Sequence, residues 1–426
     1  MSPVTPGLLF LQIAVILGIS LVVGRGLVRI QQPSVVAQMI AGVLLGPSLL
    51  GLLLPAVQTA LFPPAALPAL RGLGQVGVAI FMFGLGLEID FGFVRRNLRG
   101  AAAVGAGGVV LPLAVGALLG AVLVHDTRLF PPLAHPWVGV LFFAAAMAVT
   151  AFPVMAVIIS ERGLLGTDVA NLCLVCGCFS DFTAWTLLAL VLAAMAGNFS
   201  AAATTLFGAI AYVGVVVMIV RPLVRWLFGR LDAVTPPGWA EVAVLAALFA
   251  GAWSTEFIGI DAAFGTFVMG AAMPRIPALH TAEERLRPFV LAFLMPLYFT
   301  VSGLNARLDL LNDGGLLLLT ALIVVVACTS KGVVCTVAAK LTGRSTRDAL
   351  AIGALMNARG LVQLVILTIG LQHAVITPTL YAMMVVMTIV TTMMASPALN
   401  LIYGALPFGR AAARAGARPD IAASEA

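Results

Sequence analysis

Charge is what this chain has least of. Its 426 residues hold 17 acids and 23 lysines and arginines, so only 9% are charged, against about 25% in soluble proteins. A chain this long would fold in water as several domains, each with a polar shell, and these few charges cannot supply such shells. Histidine is scarce as well, at four residues. No dense Lys/Arg run interleaved with aromatics is present, which excludes a nucleic-acid binder despite the net charge of +6. The five cysteines lie inside apolar stretches, so a disulfide framework is not expected. Cys173, Cys176 and Cys178 read as small apolar packing residues rather than a metal cluster. Met1 to Pro6 lacks the positive region of a signal peptide. No phosphate-binding loop, nucleophile elbow or metal-ligand spacing stands out, so neither an enzyme nor a cofactor is expected.

Apolar residues are what it has most of: 62% of the chain, with a mean hydropathy of +1.12. Lipid is therefore the expected solvent. A bilayer core needs about 20 apolar residues per helix, and the runs divide into thirteen candidate spans. They cover 7–29, 34–54, 72–90, 98–125, 137–161, 168–196, 201–229, 239–255, 258–274, 286–305, 315–340, 347–371 and 377–404. Glu88 and Asp90 are expected to end the third. The odd-numbered connections and the C-terminal tail carry 18 basic residues and the even ones three, leaving Lys331 and Arg359 inside spans. Basic residues concentrate on the cytoplasmic side, so the expectation is a bacterial inner-membrane protein, N-terminus outside and C-terminus cytoplasmic. One transmembrane domain over 1–406 is expected, with its core around 137–196 and 315–404, followed by a short cytoplasmic tail, 407–426.

Three charges lie deep within spans: Asp181 in the sixth, Lys331 in the eleventh and Arg359 in the twelfth. Each costs about 2.5–3.5 kcal/mol at the bilayer centre on insertion scales and marks a functional site by default. Two spans also carry helix-breaking residues. The fifth contains Thr150 followed by Pro153, which lacks a backbone donor. The twelfth reads Asn357-Ala358-Arg359-Gly360. Non-helical backbone at membrane depth is tolerated only where it is buried in protein or lines a cavity. The two broken spans lie seven apart, so spans 1–6 and 8–13 form two six-helix repeats of opposite orientation. The expected fold is all-α, about thirteen transmembrane helices in two inverted repeats, with the interrupted helices crossing at mid-membrane.

At these residues the chain resembles the monovalent cation/proton antiporter family, in the bacterial branch with the NhaA-type fold. The resemblance runs from about residue 10 to 400 on motifs whose order and spacing matter more than any one alone. They include Gln32-Pro33, Gly42-Val43-Leu44-Leu45-Gly46-Pro47, Gly84-Leu85-Gly86-Leu87-Glu88 and Thr150-Ala151-Phe152-Pro153. Further on come Glu161-Arg162-Gly163, Asp181 with Thr183-Ala184-Trp185, Asn357-Ala358-Arg359-Gly360, Thr391-Thr392 and Ser396-Pro397. The resemblance implies that Asp181 binds cation and proton in turn, that Lys331 is its ionic neighbour, and that the break near Thr150 offers oxygens to the ion. It also suggests a homodimer. Two departures remove negative charge: Ser180 stands where many relatives have a second carboxylate, and Gln363 where they often have a glutamate.

Burial favours a neutral carboxyl and a nearby ammonium favours the charged one, so Asp181 can alternate between both forms. Na⁺ or K⁺ at Asp181, with Ser180, Thr150 and freed carbonyls as further oxygen ligands, would then compete with H⁺ for one group. The expected function is cation/proton exchange, Na⁺ favoured and electroneutral because one carboxylate serves both ions. Alternatives are K⁺/H⁺ exchange and export of an organic cation by a diverged member. Pro153, Asn357, Gly360 and Gln363 are expected to support the broken helices, and Arg359 to hold carbonyl ends of the twelfth span.

Overall fold

The computed structural model describes residues 6–89, 96–132, 135–196, 200–224, 226, 239–273, 277–304, 310–311 and 313–404. Asp90 and the tail expected at 407–426 lie outside these residues. The described regular structure is helical throughout. Among the described residues, ten helical stretches are long and apolar enough to cross a membrane, and three shorter apolar helices cover Val244–Ile258, Ala262–Ala272 and Val362–Gln372. Helices apolar on all sides bury their backbone polar groups within themselves, which is what lipid requires.

In chain order the helices are α1 Pro6–Val28, α2 Ser34–Leu45, α3 Leu50–Leu53, α4 Pro55–Leu61, α5 Leu67–Glu88 and α6 Leu98–Leu123. Next come α7 Pro136–Ala148, α8 Phe152–Glu161, α9 Asp168–Ala196 and α10 Ser200–Val215. Beyond lie α11 Trp239–Ile258, α12 Ala262–Ala272, α13 Pro277–Phe289 and α14 Met295–Gly303. The last are α15 Gly314–Leu341, α16 Thr346–Met356, α17 Leu361–Gln372 and α18 Pro378–Tyr403. The run 34–54 is not one continuous helix: α2 stops at Leu45, and Pro47 opens the turn before α3. The expected fifth and twelfth spans appear as the broken pairs α7/α8 and α16/α17.

The chain divides into two compact units. The first comprises residues 1–67, 90–184 and 299–426, and the second 68–89 and 185–298. Within the first, α6 packs along α7 and α15, and α15 along α16 and α18. Here α2 meets the end of α14 backbone to backbone, and a Cβ on Gly42 would lie 2.1 Å from the Thr300 carbonyl oxygen. Only glycine permits that approach, which accounts for the small residues spaced four apart at Gly42 and Gly46. The expected core segments fall in this unit apart from residues 185–196.

In the second unit, Asp261 caps α12 by accepting a hydrogen bond from the Ala263 amide at 2.8 Å. It lies in the turn at 259–261 between α11 and α12, inside the expected run 258–274. Glu88, at the end of α5, pairs with Arg287 of α13 at 3.0 Å.

Candidate functional site

A helix interrupted inside a protein strands carbonyls on one side of the gap and amides on the other. Two such gaps meet in the first unit. Residues 149–151 separate α7 from α8, and 357–360 separate α16 from α17. Across them the Ala151 amide donates to the Ala358 carbonyl at 3.0 Å. The Thr150 hydroxyl donates to the Met356 carbonyl at 3.1 Å. The breaks thus partly satisfy one another. Pro153 is the second residue of α8, a position where the missing amide costs no helical bond.

The carbonyl end of α7 is held by two buried cations. Arg359 donates to the Ala146 carbonyl at 3.1 Å and to the Met147 carbonyl at 2.7 Å. Lys331, from α15, donates to the next carbonyl, that of Ala148. Both side chains have no exposed surface. Positive charge belongs at the carbonyl end of a helix, where the peptide dipoles leave partial negative charge. Arg359 therefore reaches across to the fifth span rather than holding the carbonyl ends of its own, which corrects the sequence expectation: the carbonyls of Ala146 and Met147, left open where α7 stops, accept its bonds.

Arg359 is itself fixed by its surroundings. Its guanidinium also donates to Gln363 Oε1 at 3.3 Å. Its amide donates to Thr392 Oγ1 at 2.9 Å, and the same hydroxyl lies 2.6 Å from the Arg359 carbonyl. Asn357 Nδ2 donates to the carbonyls of Cys328 at 3.2 Å and Gly353 at 3.3 Å, binding the end of α16 to α15. A Cβ on Gly360 would come within 2.2 Å of Val154 Cγ2, so the second break passes close against α8.

Asp181 and Ser180, on α9, are buried, Asp181 with no exposed surface. The Ser180 hydroxyl accepts a hydrogen bond from the Thr150 amide at 3.2 Å, which brings α9 to the first break immediately beside Asp181. The structure thus gathers Thr150, Ser180, Lys331, Asn357, Arg359, Gly360 and Gln363 around the crossing. An Asp181–Lys331 ion pair is not among the ion pairs of the described residues; the ammonium is directed at the Ala148 carbonyl instead. Sequence reasoning gave no role to Thr392 or to the carbonyls of Ala146, Met147 and Ala148. The paired threonines at 391 and 392 inside an apolar run were the available signal for the first. The carbonyls, being backbone, left none.

Comparison with known proteins agrees with this architecture. The family described as "Sodium/hydrogen exchanger, transmembrane" matches residues 13–402. The chain is 36% identical over 408 residues to the Na(+)/H(+) antiporter NhaS4 of Synechocystis, covering 93% of this chain and 98% of that protein. It is 32% identical to K(+)/H(+) antiporter 1 of Saccharomyces cerevisiae, covering 88% of this chain but only 44% of the yeast protein. It is 27% identical to the Na(+)/H(+)-K(+) antiporter GerN of Bacillus cereus, covering 93% of this chain and 96% of GerN. In fold it is similar to the sodium proton antiporter MjNhaP1 of Methanocaldococcus jannaschii, with a TM-score of 0.61 at 15% identity, covering 94% of this chain and 98% of that one. The chain belongs to the sodium/hydrogen exchanger family of transmembrane monovalent cation/proton antiporters.

Proposed function

We propose that this antiporter exchanges a monovalent cation for H⁺ by alternating access at Asp181, with Na⁺ the favoured cation. The observation that carries the reading is the position of Asp181. It is fully buried and adjoins Ser180, whose hydroxyl holds the first broken helix at Thr150. Lys331 and Arg359 are both engaged with carbonyls of α7. Asp181 then serves as the titrating group, with the hydroxyls of Ser180 and Thr150 and the carbonyls of the breaks as further hard oxygen ligands. A cation and a proton that both require the ionised carboxylate exclude each other, and alternating exposure of that one group to the two faces is antiport.

Ser180 and Gln363 contribute no charge, so a one-for-one, electroneutral cycle follows from a single titrating acid. The proposed membrane arrangement has thirteen spans with the N-terminus outside and the C-terminus cytoplasmic, from the basic residues; two inverted six-helix repeats crossing at mid-membrane, from the spacing of the broken spans; and a homodimer, from the family resemblance. The names of the yeast and Bacillus cereus relatives, a K⁺/H⁺ antiporter and a Na⁺/H⁺-K⁺ antiporter, support K⁺ as the second candidate. In everted vesicles holding a pH gradient, added Na⁺ should dissipate the gradient more effectively than K⁺ or Li⁺. Dissipation by K⁺ alone would reassign the cation, and dissipation only by an organic cation would replace the reading. A rate that follows an imposed membrane potential would overturn electroneutrality.

A further inference from the structure

A second polar cluster lies away from the crossing, within the same unit, buried at Arg162 and Ser396 and half-buried at Gln31 and Asn400. Arg162 immediately follows α8 and is 1% exposed. Its Nε donates to Ser396 Oγ at 3.0 Å, one terminal nitrogen to Asn400 Oδ1 at 2.7 Å, and the other to the Gln31 carbonyl at 2.6 Å. Ser396 Oγ also donates to the Gln31 carbonyl at 3.0 Å, and Asn400 Nδ2 donates to Gln31 Oε1. Beside them Glu161 accepts the Ser34 amide at 2.9 Å, at the start of α2. One guanidinium thus ties the α1–α2 connection to the end of α8 and to α18, across 131 and 234 residues of sequence.

Two features set this cluster apart from a static brace. Gln31 has φ +53, a left-handed conformation that side chains other than glycine rarely adopt, and its carbonyl accepts bonds from both Arg162 and Ser396. Backbone strain of this kind persists only where surrounding contacts impose it. Further, α8 has ten residues and acts as a rod about 15 Å long. One end of that rod is the crossing at Ala151, and the other is Arg162. Any shift of the crossing carried along this rod would displace the guanidinium from its acceptors, and loss of those bonds would free the Gln31 turn to relax.

We propose that Gln31, Arg162, Ser396 and Asn400 form a latch that closes the cytoplasmic route to Asp181 and opens once in each transport cycle. The proposal rests on alternating access at Asp181. It places Arg162 as a gating residue that touches no transported ion. The three segments it joins all lie on the side that the proposed topology makes cytoplasmic.

The test uses the full chain in proteoliposomes. Gln31→Cys and Asn400→Cys are introduced together and bridged with a short, reducible bis-methanethiosulfonate, with the parent treated identically. The expected result is that bridging abolishes exchange and reduction restores it; bridged protein that still exchanges at the unbridged rate overturns the latch. As a second measurement, Ser396→Cys is labelled with a membrane-impermeant thiol reagent. The expected labelling rate changes severalfold when saturating Na⁺ is moved from one face to the other, and equal rates overturn the latch. A parent that exchanges no cation refutes the antiport reading instead, which keeps the two failures distinct.

Discussion

The contact between Gly360 and Val154 turns the crossing into a quantitative prediction. Gly360 has φ 177, an extended conformation open to any residue, so Gly360→Ala introduces no backbone strain. Its effect is steric. The added Cβ would lie 2.2 Å from Val154 Cγ2 and 3.4 Å from Ala151 Cβ. Ordinary contact begins near 3.4 Å, so more than an ångström must be recovered. Val154 is 1% exposed and Ala151 fully buried, and a β-branched side chain has little rotamer freedom with which to yield. Overpacking of this kind costs about 1–3 kcal/mol. Val154→Ala removes the obstructing methyl and costs about 1–2 kcal/mol alone, through lost burial and a small cavity.

The two changes should therefore compensate, the double variant being more stable than the sum of the single losses by about 1 kcal/mol or more. Thermal unfolding of the four purified proteins in one detergent measures this, and exchange rates in proteoliposomes should follow the same order. Strictly additive losses, or a Gly360→Ala protein as stable and active as the parent, would refute the close passage of the second break against α8.

Further predictions concern the groups that hold the breaks. Arg359→Met should destabilise the protein by about 2–4 kcal/mol, since it strips hydrogen bonds from two buried carbonyls while relieving a buried charge; unchanged thermal stability would contradict the capping role. Lys331→Gln should leave the number of protons exchanged per cation unaltered, because the ammonium is engaged with the Ala148 carbonyl; a halved proton count in ratio measurements would place the lysine in the proton pathway. Ser180→Ala should raise the half-saturating cation concentration severalfold without displacing the pH profile. A shifted profile would show that the hydroxyl acts on protonation rather than on the cation.

Much of this arrangement could be read from the sequence, for reasons of solvent. Lipid leaves little freedom in the length of an apolar run, so the expected runs have helical counterparts along the described chain. The breaks were visible because Thr150, Pro153, Asn357 and Gly360 interrupt otherwise apolar stretches, and Asp181, Lys331 and Arg359 because charge in such stretches is rare. What hydropathy cannot report is where a long cationic side chain ends. Lys331 and Arg359 both terminate on backbone carbonyls of α7, which have no signature in residue type. Arg162 stands in the connection after α8, where its place in the sequence puts it, but its burial had no signal in residue type. Next to Glu161 and Gly163 at the end of an apolar run it reads as a basic residue of a solvated connection, yet Gln31, Ser396 and Asn400 enclose it.

The central claim is that one buried carboxylate binds cation and proton in turn. Its most direct test is uptake of labelled Na⁺ into proteoliposomes driven by an outward proton gradient, for the parent and for Asp181→Asn. The account predicts rapid uptake by the parent and none above protein-free liposomes for the variant, with the variant folded as judged by its thermal unfolding. Gradient-driven uptake by Asp181→Asn at the parent rate would contradict it.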